Sequence, residues 1–189
     1  MIASYVRALA ICAVTVLATG CAQLKAPPYG ADYAALEQLK AAKPGSANVL
    51  KVEPTDPAAP VNNLSLRGTP LNSASGTFSK YLEEALVQDL KEISAYDPQS
   101  HTQIDAKILA NDIDIRGFST GSGVMEIELR VLRSGEQRLK KTYKAETSFE
   151  SSFMGAVAIP AGQAAYPQLV RELLRKVYAD PQFLAALAP

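Results

Sequence analysis

The apolar positions of this chain change period along its length, and each change marks an element. Behind Arg7, residues 8–17 form an apolar run that closes on the small residues of Ala18-Thr19-Gly20-Cys21, the order of a secretory signal and its cleavage site. A spanning helix needs roughly 20 apolar residues, and this run falls short. From Ala22 to Ser46 the composition turns to Ala, Pro, Lys and Gly, with only Tyr33, Leu36 and Leu39 at helical spacing between Pro28 and Pro44-Gly45. That pattern predicts a tether carrying a marginal helix, with a reach of roughly 80 Å if extended at about 3.3 Å per residue. Asn48 to Glu53 alternates Val49 and the stem of Lys51 against Leu50 and Val52, a strand that Pro54 stops. Thr55 to Pro60 reads as a surface loop, and Leu64-Ser65-Leu66 as a short extended return.

The period then becomes helical. Phe78, Tyr81, Leu82, Ala85, Leu86, Leu90 and Ile93 form one stripe, with Glu83, Gln88, Asp89 and Lys91 between them. This helix starts among Ser75, Gly76 and Thr77, where capping oxygens are at hand, and ends before Asp97-Pro98. Three strands follow. In the first, Ile104, Ala106, Ile108 and Ala110 share a face until the phase slips to Ile113 and Ile115, and a bulge near Leu109 to Asn111 reconciles the two. The second places Met125, Ile127, Leu129 and Val131 inward; the third places Leu139, Tyr143, Ala145 and Phe149 inward, with Lys141 breaking the row. A turn at Gly135 sets Val131 opposite Leu139, Glu126 opposite Lys144 and Arg130 opposite Lys140. One charge pair is favourable and the other is not, so hydrophobic phase sets the register. A last long helix is expected from Pro167, whose fixed φ suits a first turn, and Asp180-Pro181 opens a short terminal helix.

These elements predict an α+β fold. A small antiparallel sheet, in the order strand, helix, three-stranded meander, helix, carries two helices packed on one face behind an N-terminal tether. The chain divides into a signal peptide at 1–20, a lipidated tether at 21–46 and a single domain at 47–189.

Charge narrows the partners. With 19 basic and 19 acidic residues the chain is balanced, whereas nucleic-acid binding draws on clustered Lys and Arg. The expectation is therefore no nucleic-acid partner. Of the two cysteines, Cys12 leaves with the signal. The mature domain has no thiols to pair and holds together by packing alone. Cys21 itself fits a bacterial lipobox, with cleavage after Gly20 and acyl and diacylglycerol chains on the cysteine; no other cofactor is expected. Ala18 stands where that pattern prefers Leu, and Ala18-x-Gly20 also satisfies ordinary signal cleavage, which would leave a soluble protein with a free thiol. Resemblance to sorted lipoproteins implies delivery to the outer membrane, because Ala22 and not a retaining Asp follows the cysteine.

Several motifs invite chemistry. Gly117-Phe118-Ser119-Thr120-Gly121 matches the nucleophile-elbow pattern G-x-S-x-G. That motif works on a turn from strand into helix, whereas here a strand follows, and the one histidine, His101, precedes the serine. A hairpin turn is expected. Asp112, Asp114, Glu126 and Glu128 share an outward sheet face, where a hard cation would need six or more oxygens from wrapping loops; a solvated face moderated by Arg116, Arg130 and Lys144 is expected. The run Phe153 to Ile159 has two readings, one closing the core at the sheet's end, the other an apolar loop, flexible through Gly155 and Gly162, that docks on a partner or dips into lipid. The spacing from Phe149 places Phe153 in the core and leaves Met154 and Val157 as the exposed contacts; all three are the candidate partner-binding residues.

The order of these elements behind a lipobox, with Phe78-x-x-Tyr81-Leu82-x-x-Ala85-Leu86, the Tyr143-Lys144-Ala145 strand and the closing helix, resembles the small bacterial outer-membrane lipoproteins typified by YajG. That family offers no catalytic residues to carry over. The resemblance implies a non-enzymatic envelope lipoprotein facing the periplasm, held to the membrane by its lipid and binding an envelope protein as an accessory or assembly factor. The alternative is a carrier of lipid or another amphiphile, which would need an apolar cavity lined by Met125, Leu129 and Tyr143. The chain offers neither a nucleophile with its base nor a metal set, so no enzyme is expected.

Overall fold

A computed structural model describes residues 23–189. Gly20, Cys21 and the signal peptide lie outside the described residues. The centre of the molecule is the three-stranded meander of β5 (Thr102–Asp114), β6 (Thr120–Arg133) and β7 (Glu136–Glu150). Strict alternation removes Met125, Ile127, Leu129 and Val131 wholly from solvent. The register is the expected one, with Val131 facing Leu139, Glu126 facing Lys144 and Arg130 facing Lys140. The two like charges diverge: Arg130 Nε reaches Asp105 Oδ1 at 2.7 Å and Lys140 Nζ reaches Glu128 at 3.2 Å. The bulge falls on Leu109, between Ile108 and Ala110, and rotates Ile113 back onto the buried face. Lys141 breaks the apolar row because it reaches over the core's rim to Asp180 Oδ2 at 2.8 Å. Asp180 in turn caps α4 (Pro181–Leu187), accepting from the Gln182 N–H.

β2 (Asn48–Glu53) joins the meander's edge in the order β2-β5-β6-β7, but parallel to β5, so the sheet is not wholly antiparallel. The reason is the connection: α2 (Phe78–Glu92) crosses over between the two strands, and a helical crossover returns the chain in the same direction. An irregularity between Val49 and Val52 puts both on the buried side and leaves Leu50 exposed, in place of simple alternation. α2 starts where expected, with the Thr77 hydroxyl accepting from the Lys80 N–H at 3.0 Å. Asp89 departs from the expected polar face and is fully buried; its spacing, four after Ala85 and three after Leu86, already places it on the apolar stripe.

α3 (Gly155–Tyr178) is 24 residues long and runs through both Pro160 and Pro167, whereas a start at Pro167 was expected. Each internal proline removes a ladder hydrogen bond and costs ~3 kcal/mol. The continuous burial of Tyr166, Leu169, Val170, Leu173, Leu174 and Val177, at ~1.5–3 kcal/mol each, outweighs that. α2 and α3 share the inner face of the sheet, where the Tyr166 ring lies 4.6 Å from Phe78 and 5.3 Å from Tyr81. The opposite face turns Glu126, Glu128, Arg130, Lys140 and Lys144 toward water.

The segment expected as a tether is packed onto the domain from Leu24 onward. β1 (Leu24–Lys25) pairs in parallel with β4 (Thr69–Asn72), which pairs with β3 (Leu64–Leu66), making a second sheet in the order β1-β4-β3. α1 (Tyr33–Ala41), capped by Asp32, buries Ala35, Leu36 and Leu39 against the domain. Arg175 of α3 grips the same Asp32, with Nε at 2.8 Å from Oδ2. At nine residues the helix is too short to be stable in isolation, and tertiary burial of Ala35, Leu36 and Leu39 stabilises it.

Candidate functional site

Three connections converge at one end of the molecule. The β3–β4 turn, Arg67-Gly68, has positive φ at both residues (52° and 79°), as two-residue hairpins require. The Arg67 guanidinium then donates to the carbonyls of Phe153 (2.6 Å), Ser152 (2.9 Å) and Ile115 (3.4 Å). It thereby ties the turn to the β5–β6 connection and to the approach to α3. Ser151 N–H bonds the Ser119 carbonyl at 2.9 Å, and Met154 N–H bonds Ser152 Oγ at 3.1 Å. Arg116 forks onto Asp114 at 2.9 and 2.7 Å and holds that carboxyl down at about 2.

On this pinned backbone stand four large apolar side chains: Phe118 is 79 % exposed, Phe153 61 %, Met154 52 % and Val157 48 %. The Phe118 and Phe153 rings stack at 5.5 Å with 16° between planes. Met154 and Val157 are exposed as expected, but Phe153 is not core. β7 stops at Glu150, so the even spacing from Phe149 does not continue. Phe149 itself closes the sheet's end by lying over Gly121, where an added Cβ would come within 2.4 Å of its ring. Phe118, Arg67 and their convergence were not singled out from the sequence. The one signal for Phe118 was an aromatic residue set between Gly117 and Ser119 in a turn, where little can cover it.

The other sequence candidates sit apart from this end or from each other. Gly117 to Gly121 does join strand to strand, with Gly117 packed so tightly on the Thr120 carbonyl that a Cβ would lie 2.1 Å away. His101, just before β5, and Ser119, just after it, flank a 13-residue strand of roughly 40 Å and do not meet. Asp114 is taken by Arg116 and Glu128 by Lys140, and among the described residues no group of three or more His, Cys, Asp or Glu is arranged to hold a metal ion. The lining expected of a lipid carrier is filled: Met125 and Leu129 are wholly buried, and the Tyr143 hydroxyl donates to Asp180 at 2.6 Å. A groove of about 500 Å³ lies instead on the polar sheet face, beside Asp112, Ser122, Val124 and Glu146.

A second site lies inside. Asp89 Oδ2 accepts hydrogen bonds from Tyr29 (2.8 Å) and Tyr178 (2.9 Å), while Oδ1 is buried without a partner. Burial pushes this carboxyl up to about 6, against the pull of the two hydroxyls, with Glu92 and Asp32 adding to the rise. Burial and the Asp89 charge push both tyrosines upward, so they remain donors at ordinary pH. The three side chains join the N-terminal segment, α2 and α3.

No protein-family model and no curated protein matches the sequence. Among solved structures, protein XCC0632 from Xanthomonas campestris, of family DUF330, is 15 % identical, with a TM-score of 0.49 over 82 % of this chain and 91 % of that one. A candidate lipoprotein from Caulobacter crescentus is 15 % identical at a TM-score of 0.47, covering 81 % and 97 %. The hypothetical protein CT253 from Chlamydia trachomatis is 12 % identical at 0.37, covering 76 % and 99 %. Likenesses of this size assign no family to the chain and no activity to its residues.

Proposed function

We propose that this chain is a non-enzymatic lipoprotein of the bacterial envelope, held through an acylated Cys21 at the periplasmic face of the outer membrane and serving as an accessory that works by contact. The contact surface is the apolar end. The observation that carries this reading is the clustering of Phe118, Phe153, Met154 and Val157 on a backbone fixed by Arg67. Singly exposed apolar residues such as Tyr33, Leu50 and Leu109 need no explanation, whereas a contiguous exposed patch marks an interaction site. The Gly20-Cys21 lipobox supplies the address.

Photocrosslinking in intact cells tests the reading. A photoreactive residue at Phe153 is expected to give adducts that the same residue at His101 does not, and mass spectrometry identifies them. Equal background labelling from the two positions overturns it.

A further inference from the structure

We infer that the apolar end is a membrane-contact surface: Phe118, Phe153, Met154 and Val157 meet the same bilayer that holds Cys21, and they stand the domain upright on it. This rests on the lipoprotein reading and names what its contact surface touches.

Chain direction and reach point to this occupant. β1 runs parallel to β4, with Leu24 beside Leu71 and Lys25 beside Asn72. Followed toward its N-terminus, β1 therefore points past Leu71 in the direction of the Arg67-Gly68 turn. Arg67 is the residue whose guanidinium holds the Phe153 and Ser152 carbonyls. Cys21 precedes Leu24 by three residues, as Gly68 precedes Leu71 by three, and three residues reach at most ~10 Å. The segment that would have supplied slack is fixed to the domain: Ala26 N–H bonds the Asn72 carbonyl at 2.9 Å, and Gln163 Nε2 bonds the Lys25 carbonyl at 2.9 Å. The far end, where His101, Gly45 and Pro189 gather, is roughly 40 Å away along β5. A lipid on Cys21 thus brings this end, and not the other, to the bilayer.

The chemistry of the patch suits that occupant. Its four apolar side chains are few beside the 20–30 residues a side of a stable protein interface. Aromatic, methionine and valine side chains enter the acyl boundary readily, and an anchor that already holds them at the surface makes the second contact effectively intramolecular. The acyl chains give retention; the patch gives orientation. The strands then run away from the membrane, with His101 outermost and the charged sheet face open to the periplasm.

The test uses the full mature lipoprotein in vesicles of phosphatidylethanolamine and phosphatidylglycerol. Met154→Cys, Val157→Cys and His101→Cys each introduce a single free thiol, since the Cys21 sulfur carries lipid, and each takes an environment-sensitive fluorophore. At 154 and 157 we expect strong quenching by spin-labelled lipid and several-fold protection from aqueous iodide, with the reverse at 101. Acylated protein that floats with the vesicles but leaves 154 and 157 as open to iodide as 101 overturns this inference alone. Protein whose N-terminal peptide lacks the acyl mass and does not float overturns the lipoprotein reading, and this inference with it.

Discussion

Asp89 should make the domain less stable as pH rises from 4 to 7, the opposite of the usual acid-denaturation slope. Its folded-state pKa, about 6, stands above the ordinary 3.8, so between those values the folded state binds more protons than the unfolded one and stability falls with pH. Two units at 1.36 kcal/mol each give a total of ~3 kcal/mol, of which ~2 kcal/mol falls between pH 4.5 and 7. Asp32, Asp114 and Asp180 act in the other direction: hydrogen bonds from Arg175, Arg116 and Lys141 hold them low against whatever burial adds. Their contribution is present above the ordinary carboxylate range and is lost only as pH drops below about 4. Glu53 and Glu146, held low by Lys51 and Lys144, pull against this slope, but both are open to solvent, so Asp89 dominates the interval from 4.5 to 7. Asp89→Asn keeps an acceptor for Tyr29 and Tyr178 and removes the ionisation, exchanging a pH-dependent penalty for a fixed one. Urea unfolding of the soluble Cys21→Ser mature chain at pH 4.5 and 7 reads the difference. A decline in the parent of ~2 kcal/mol that vanishes in Asp89→Asn is expected; the same decline in both, or a rise in the parent, refutes the assignment.

Leu86→Ala in α2 should cost ~2–5 kcal/mol in the same unfolding assay, and Gln88→Ala close to nothing. Equal losses would mean that the buried face of α2 is misassigned. Phe153→Ser should leave the thermal melt within a degree or two of the parent because the ring is exposed; a drop of the size seen for Leu86→Ala would return Phe153 to the core. Gly123→Ala should destabilise by ~1–3 kcal/mol, since its Cβ would lie 2.7 Å from Ile113 Cδ1 and 3.2 Å from Leu169 Cδ2; a neutral outcome would show slack between the sheet and α3. Arg67→Ala should raise amide exchange across 151–157 severalfold without unfolding the domain, and unchanged exchange there would show that the carbonyl clamp is dispensable.

The meander was legible residue by residue because alternation, the bulge and the Gly135 turn are local signals, and the bulge at Leu109 and the Val131–Leu139 register were both found where expected. What escaped depended on neighbours remote in sequence. Leu36 and Leu39 carry too little apolar surface to announce a packed helix until Asp32 meets Arg175. Pro167 looked like a first turn because the long buried face that sustains α3 through it is a tertiary fact. The parallel pairing of β2 follows from the crossover of α2, which no period in the strand itself records. At the apolar end, the exposure of Met154 and Val157 agrees with the sequence and that of Phe153 does not, because the strand spacing from Phe149 does not continue past Glu150. Arg67 was invisible there, since its partners are backbone carbonyls 48 to 86 residues away.

Attachment to the membrane depends on Cys21, which sequence alone nominates. Fractionation of cells, with mass analysis of the mature N-terminal peptide, tests it beside a Cys21→Ser variant. The prediction is a mature chain that begins at Cys21, carries diacylglyceryl and acyl mass, and sits in the outer-membrane fraction, while Cys21→Ser is unprocessed or soluble. A mature chain that begins elsewhere or lacks that mass, or a Cys21→Ser protein retained in the outer membrane like its parent, contradicts the account.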